Sequence, residues 1–411
     1  MMALFSTLTI QSIKMYNDII AFIRATFQEP EAFIPLHAPY FGGNEKRYLA
    51  DTIDSTFVSS VGAYVNRFEE MMAALTGAPY AIATTNGTTA LHLALVAAGI
   101  GYGDDVITQP LSFVATANAI AHSGASPIFL DVDRDTMGLS PVALENFLNA
   151  NAIVREGRCI NKANGKRIAA CVPMHTFGFP CRIDEIAAIC KQYGIVLIED
   201  SAESLGSYYK GTHTGNFGLM GTFSFNGNKT VTCGGGGAII THDKALAERL
   251  KHLSTTAKLP HPWEFTHDEV GYNYRMPNLN AALACAQLEQ LTEILINKKD
   301  LARIYSEYFE GTALKLVQPV KDAVPNNWLN TVMLPDRAAR DLFLKETNEA
   351  KVMTRPCWTL LHKLPMYSHC QHDALSEARW LEDRLVNIPS SYRPFAQQTL
   401  APSTDVAHSI A

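Results

Sequence analysis

The chain reads as an α/β protein, with a large domain on a mostly parallel mixed sheet, helices on both faces, and a smaller α+β domain after it. Three observations predict this. Between Tyr80 and Asp200, short β-type runs alternate with helical runs. The connections between them are short, which favours repeated β-α-β units and hence parallel strands covered by helices. At 411 residues and 47% hydrophobic, the chain supplies a core for a large and a smaller domain without disulfide support.

The elements follow in order. MMALFSTLTIQSIK has no basic stretch ahead of its apolar part and no small-residue cleavage site, so it is not read as a signal peptide. It reads as an extended or added start, and Met15 opens a helical pattern. From Phe33 a Pro/Gly loop leads into a helix, Thr56 to Gly62 forms a loop, and Tyr64 to Ala74 is helical with Glu69 and Glu70 facing water. Tyr80 to Thr84 is a strand that turns through Asn86 and Gly87 into a helix opened by Thr88 and Thr89. The free N–H groups and positive dipole end at Gly87 and Thr88 suit a phosphate, although the same strand-turn-helix pattern occurs without any ligand. Asp105 to Gln109 is strand-like, Phe113 to Ala121 helical, and SPIFLDVD from Ser126 a buried-type strand. Ile168 to Met174, a helix from Ile183 to Tyr193, and the strand Ile195 to Asp200 continue the alternation. Such a sheet binds ligands at the carboxyl ends of its strands, where Asp200 lies. Lys244 to Leu253 is helical, and the loop after it is too long for a simple connector. Asn280 to Leu295 reads as one long helix linking two domains, ahead of mixed helix and strand patterns to Leu385.

Charge and composition narrow the function. A formal net charge of -6 gives no basic face, which excludes an ordinary nucleic-acid partner. No run reaches the ~18 apolar residues of a membrane span. The eight cysteines, at 159, 171, 181, 190, 233, 285, 357 and 370, form no CxxC pair and read as free thiols in a reducing cytoplasm. His369, Cys370 and His372 lack a second ligand pair, so no metal site is expected there.

The stretch TFSFNGNKTVTCGGGG, Thr222 to Gly237, places Lys229 on a loop between strands, ahead of four glycines. A lone loop lysine is ordinarily a solvated charge. Here the glycines allow backbone or cofactor to approach closely, and Ser224 supplies a hydroxyl for a phosphate. A partly desolvated lysine loses its proton well below ~10.4 and attacks a carbonyl to form a Schiff base. Asp200 supplies the matching group, because a carboxylate that holds a pyridine nitrogen protonated makes the ring an electron sink.

With Lys229, Asp200, NGTTALHLAL and GYNYRMPNLNAA in view, the chain resembles the DegT/DnrJ/EryC1/StrS sugar aminotransferases from about Phe33 onward. The resemblance implies pyridoxal 5'-phosphate as cofactor, the aspartate-aminotransferase fold (fold type I), and a homodimer with shared active sites. It divides the chain into an N-terminal helical extension (1–32), a large cofactor-binding domain (33–279), and a linking helix with a small C-terminal domain (280–411). FVATANAI, PMHTFG, EDSAESLGS, SFNGNK and HDEVGYNYRMPNLNAA resemble the branch that aminates C4 of UDP-linked 4-keto-6-deoxy-N-acetylhexosamines, used in bacillosamine and legionaminic-acid pathways.

By this resemblance Lys229 holds the cofactor aldehyde and moves protons, and Asp200 partners the pyridine nitrogen. Ser224, Gly87 and Thr88 hold the phosphate, Phe113 stacks on the ring, and Asn273 reaches the phosphate in the neighbouring subunit. Glu203 stands near the cofactor's 3-hydroxyl, where many members have glutamine or histidine, and an ionised carboxylate there would repel the phenolate. GGGG departs from the usual TTGEGG. The implied reaction takes an amino group, from L-glutamate by resemblance, to a keto-sugar acceptor. A keto-octulosonate acceptor and a non-catalytic cofactor-binding regulator stay open, while related sugar dehydratases carry histidine in place of the lysine.

Overall fold

The computed structural model describes residues 2–394, with side chains from residue 12 onward. Its central sheet runs Tyr80–Thr84, Gly237–Thr241, Met220–Ser224, Val196–Asp200, Arg167–Val172, Asp104–Thr108, Ser126–Phe129. Gly237–Thr241 is antiparallel to both neighbours, and the remaining pairs along this path are parallel. The carboxyl ends of Tyr80–Thr84, Met220–Ser224 and Val196–Asp200 therefore share one edge.

Side-chain alternation covers both faces. Val106, Ala170, Val172, Ile198 and Ile239 pack with the helices Gly87–Ala97, Val114–His122 and Lys244–Ser254. Their neighbours Ile107, Cys171 and Leu197 pack on Pro141–Asn151 and Ile183–Tyr193. Ala238 and Ile240 on that second face meet the helices Ala63–Thr76 and Asn278–Glu289. All eight cysteines are free and buried within this packing and its C-terminal continuation.

A four-stranded antiparallel sheet follows, in the order Lys315–Leu316, Asn330–Met333, Leu385–Ile388, Arg355–Pro356. Tyr16, Ile19 and Ile23 of the first helix pack there against Leu301, Tyr305, Phe343 and Val386. Arg24 Nη2 fixes the contact by donating to the Ala350 carbonyl at 2.5 Å.

Four local expectations need correction. The first helix spans Met2–Phe27, so residues 2–14 are helical and not extended. Glu69 does not face water: it accepts from Ala83 N at 2.8 Å and Lys251 Nζ at 2.6 Å, satisfying an N–H on the sheet's edge strand. The helix Gly87–Ala97 is opened by Asn86, whose side chain accepts from Thr89 N at 2.9 Å while Thr89 Oγ1 accepts from Asn86 N at 3.2 Å. The expected long linking helix is two helices, Asn278–Glu289 and Leu291–Glu310, that meet at Gln290. Gln287 and Gln290 both donate to Glu45 Oε1 at 2.6 Å, and this buried carboxylate holds the junction.

Candidate active site

The carboxyl edge of the sheet collects the polar groups. Asp200 closes its strand and is 3% exposed. Its Oδ2 accepts from Thr116 Oγ1 at 2.7 Å and its Oδ1 from Ala202 N at 3.2 Å. Burial raises its pKa, opposed by these two donors and by the charges of Lys229 and His175. Below it, His175 Nε2 and Glu199 Oε2 form a fully buried pair at 3.1 Å, while His175 N donates to the Asp200 carbonyl at 3.3 Å.

Three residues beyond Asp200, the turn brings Glu203 to Lys229. Glu203 Oε1 lies 3.3 Å from Lys229 Nζ, and Oε2 accepts from Phe177 N at 2.8 Å. Burial pushes the Glu203 carboxyl up to about 7, against the lowering effects of Lys229 and the Phe177 N–H. The Lys229 ammonium also sits 4.2 Å from the centre of the Trp328 ring. Asn326 Nδ2 ties the two turns together, donating to the Glu203 carbonyl at 2.8 Å and to Thr230 Oγ1 at 3.3 Å. Trp328 Nε1 in turn donates to the Asn228 carbonyl at 2.7 Å.

Gly87 begins its helix against the end of Met220–Ser224, one strand removed from Tyr80–Thr84 in the sheet. A Cβ there would lie 2.8 Å from Ser224 Cβ, so only glycine leaves the space open. Gly87 N and Thr88 N lie in the first helical turn, where no intrahelical carbonyl is available. Ser224 Oγ makes no side-chain hydrogen bond among the described residues. Gly237 serves a packing purpose: a Cβ there would lie 2.4 Å from the Asn86 carbonyl oxygen, so the missing side chain lets the Asn86 turn cross the strand.

The expected site residues thus fall into two groups. Lys229 with Glu203, and Gly87 with Ser224 and Thr88, adjoin the Asp200 strand end. Phe113 is the N-cap of the helix that carries Thr116, and its ring is 49% exposed and 6.3 Å from the Trp358 ring. Asn273 stands apart: it is exposed, and among the described residues its Oδ1 accepts only from Arg275, at 3.2 and 3.1 Å. Sequence reasoning missed Thr116 and Trp328. Thr116 lies one helical turn beyond Phe113 in the FVAT motif and was there to be found. Trp328 comes from the C-terminal part and carries no local signal.

A lysine for an aldehyde, a buried carboxylate for a protonated ring nitrogen, and a helix N-terminus with a free hydroxyl for a phosphate fit pyridoxal 5'-phosphate. That donor set is the one a pyridoxal-phosphate enzyme requires. A family model described as the DegT/DnrJ/EryC1/StrS aminotransferase family matches residues 39–401, and the chain belongs to that family of pyridoxal-phosphate-dependent sugar aminotransferases. It is 36% identical over 360 residues to GDP-perosamine synthase of Escherichia coli O157:H7, covering 87% of this chain and 93% of that protein. Among solved structures, the aminotransferase TlmJ from Streptoalloteichus hindustanus superposes with TM-score 0.79 at 25% identity, over 92% of this chain and 97% of that one. DesI, crystallised in the presence of its TDP-sugar product, superposes with TM-score 0.77 at 27% identity, over 89% of this chain and 90% of that one. No helix among the described residues is long and apolar enough to cross a membrane.

Proposed function

We propose that the chain moves an amino group from L-glutamate to C4 of a UDP-linked 4-keto-6-deoxy-N-acetylhexosamine. The observation that carries this reading is the Lys229–Glu203 pair at 3.3 Å beside the buried Asp200 carboxylate. Bound pyridoxal 5'-phosphate supplies a ring that stabilises negative charge at the amino-bearing carbon. Lys229 Nζ takes the proton from that carbon of the donor and returns one to C4 of the sugar. Glu203, buried with its carboxyl raised to about 7, offers Lys229 a local proton partner and offers the cofactor's 3-hydroxyl a hydrogen-bonding group in place of glutamine or histidine. Asp200 keeps its carboxylate aimed by the Thr116 and Ala202 donors, which suits it to hold a pyridinium N–H. Ser224 and the first turn of Gly87–Ala97 cradle the phosphate, and Phe113 covers one face of the ring.

The reading includes a cytoplasmic homodimer in which Asn273 serves the partner's phosphate. Its support is the exposed Asn273 beside a loop whose Trp263, Phe265 and Val270 are 76%, 77% and 84% exposed, an apolar surface that a second copy would cover. The nucleotide is the finer question, since one relative is named for a GDP sugar and one neighbour was crystallised with a TDP-sugar product. Comparing kcat/KM for UDP-, GDP- and TDP-linked 4-keto sugars, a free keto sugar and a keto-octulosonate tests it. The UDP-linked N-acetylated sugar should lead by tenfold or more, about 1.4 kcal/mol. A GDP- or octulosonate-linked preference overturns the acceptor assignment.

A further inference from the structure

Trp328 reaches Lys229 from the C-terminal part of the chain and is fastened at three points. Its indole Nε1 donates to the Asn228 carbonyl at 2.7 Å, which ties the ring to the turn that carries the lysine. Its backbone N donates to Asn326 Oδ1 at 2.9 Å, and its carbonyl accepts from the buried Lys298 ammonium at 3.1 Å. Lys298 also donates to the carbonyls of Asn327 and Ser390 at 3.3 and 2.7 Å, pinning the segment ahead of the strand Asn330–Met333. A tryptophan 4% exposed among Leu111, Phe177 and Leu360 is ordinarily core filling. This one also meets a charge, because Lys229 Nζ lies 4.2 Å from the ring centre while Glu203 Oε1 lies 3.3 Å from the same nitrogen.

The free ammonium is therefore held by two neighbours. The Lys229 side chain is only 12% exposed, and a largely desolvated ammonium over an indole is among the stronger cation–π arrangements. The contact belongs to one state of the lysine. In amino transfer Lys229 alternates between a nitrogen joined to the cofactor's carbonyl carbon and a free ammonium. Converting the first into the second consumes one glutamate and one water and releases 2-oxoglutarate, with glutamate's nitrogen left on the cofactor. The joined nitrogen shares its charge with the cofactor and gives up its N–H bonds, so the indole face favours the free lysine, the state that receives the keto sugar.

We propose that Trp328 is a positioning residue for Lys229, holding the free ammonium on its ring face and so favouring the enzyme form that carries the donor's amino group. The role rests on the amino-transfer reading and deepens it. Cofactor-loaded wild type, Trp328→Leu and Trp328→Phe are equilibrated with known ratios of L-glutamate to 2-oxoglutarate, and the visible absorbance reports how much lysine is still joined. Trp328→Leu should need a ratio about fivefold higher for half-conversion, and Trp328→Phe, which keeps a weaker aromatic face, a smaller increase. Mono- and difluorotryptophan, incorporated throughout the protein, test the same contact with the ring's size nearly unchanged: fluorine withdraws charge from the ring face, so the required ratio should climb with each fluorine. Trp380 also faces cations, Arg134 and Arg384, so fluorinated Trp328→Phe is the control and should keep the ratio of its unfluorinated form. In the cofactor-free protein, acetic anhydride should label Lys229 about threefold faster in Trp328→Leu than in wild type, read by mass spectrometry. A half-conversion ratio that neither substitution nor fluorination moves, a fluorine effect that persists in Trp328→Phe, or Lys229 labelling unchanged in Trp328→Leu overturns the role while leaving the amino-transfer reading intact. Wild-type absorbance untouched by glutamate overturns that reading and the Trp328 role together.

Discussion

Lys229 contacts only Glu203 and Trp328 with its ammonium among the described residues, so its removal touches chemistry more than packing. Lys229→Ala should lose turnover with little change in thermal midpoint, and borohydride should fix the cofactor to Lys229 alone; mass spectrometry showing the adduct on another lysine rejects the role. Asp200→Asn should keep the cofactor and slow proton removal about a hundredfold, roughly 3 kcal/mol, since an amide cannot hold a pyridinium charge. Glu203 yields a pH prediction on the cofactor-free protein. Its folded pKa of about 7 exceeds the ordinary 4.5, so the folded state binds the proton more tightly than the unfolded chain. The stability linked to this group is complete below about 4.5 and is lost as pH rises through about 7, by roughly 3 kcal/mol in all. The stability gap between Glu203→Gln and wild type should therefore shift in the variant's favour across that window in urea titrations. A gap that stays flat with pH contradicts the assignment. Lys229, Asp200 and Glu203 were legible in sequence because each lies at or near a strand end inside a short motif. Trp328 was not, because tertiary packing alone carries it to the lysine.

The helix Gly87–Ala97 joins fold to site. Its capping box fixes where the first free N–H groups point, and Asn86→Ala should cost about 1 kcal/mol in thermal or urea unfolding. Gly87→Ala acts differently, since its methyl would meet Ser224 where the phosphate is expected. Pyridoxal 5'-phosphate should be retained about tenfold less tightly on dialysis, about 1.4 kcal/mol, with the circular dichroism unchanged. Full retention contradicts the phosphate assignment. The element pattern from Tyr80 to Thr241 was readable because alternating strands and helices leave distinct periods. The break at Gln290 was not, because helix-forming residues run straight through it and a buried carboxylate on Glu45, far away in the chain, sets the junction. Glu69 misled for a related reason: an acidic helix residue reads as solvated until a strand edge offers it an N–H.

At the scale of the whole molecule, the first helix packs on the C-terminal sheet, and the large sheet's carboxyl edge receives Trp328 from beyond it. The order of the parallel strands follows from alternation and short connections, whereas the docking of the C-terminal part depends on contacts such as Asn326 with Glu203 that no local pattern reveals. The proposed shared site is tested by mixing inactive Lys229→Ala and Asn273→Asp dimers under subunit exchange. Activity should appear if Asn273 acts in trans, and verified heterodimers that stay inactive contradict sharing. The central claim, amino transfer through Lys229 to a keto sugar, has a more direct test in two single turnovers of the cofactor-loaded protein. L-glutamate should bleach the visible absorbance and release one equivalent of 2-oxoglutarate per site, and the UDP-linked 4-keto sugar should then restore the absorbance and leave as its 4-amino product. Absorbance untouched by glutamate, or the same cycle completed by Lys229→Ala, would contradict the account.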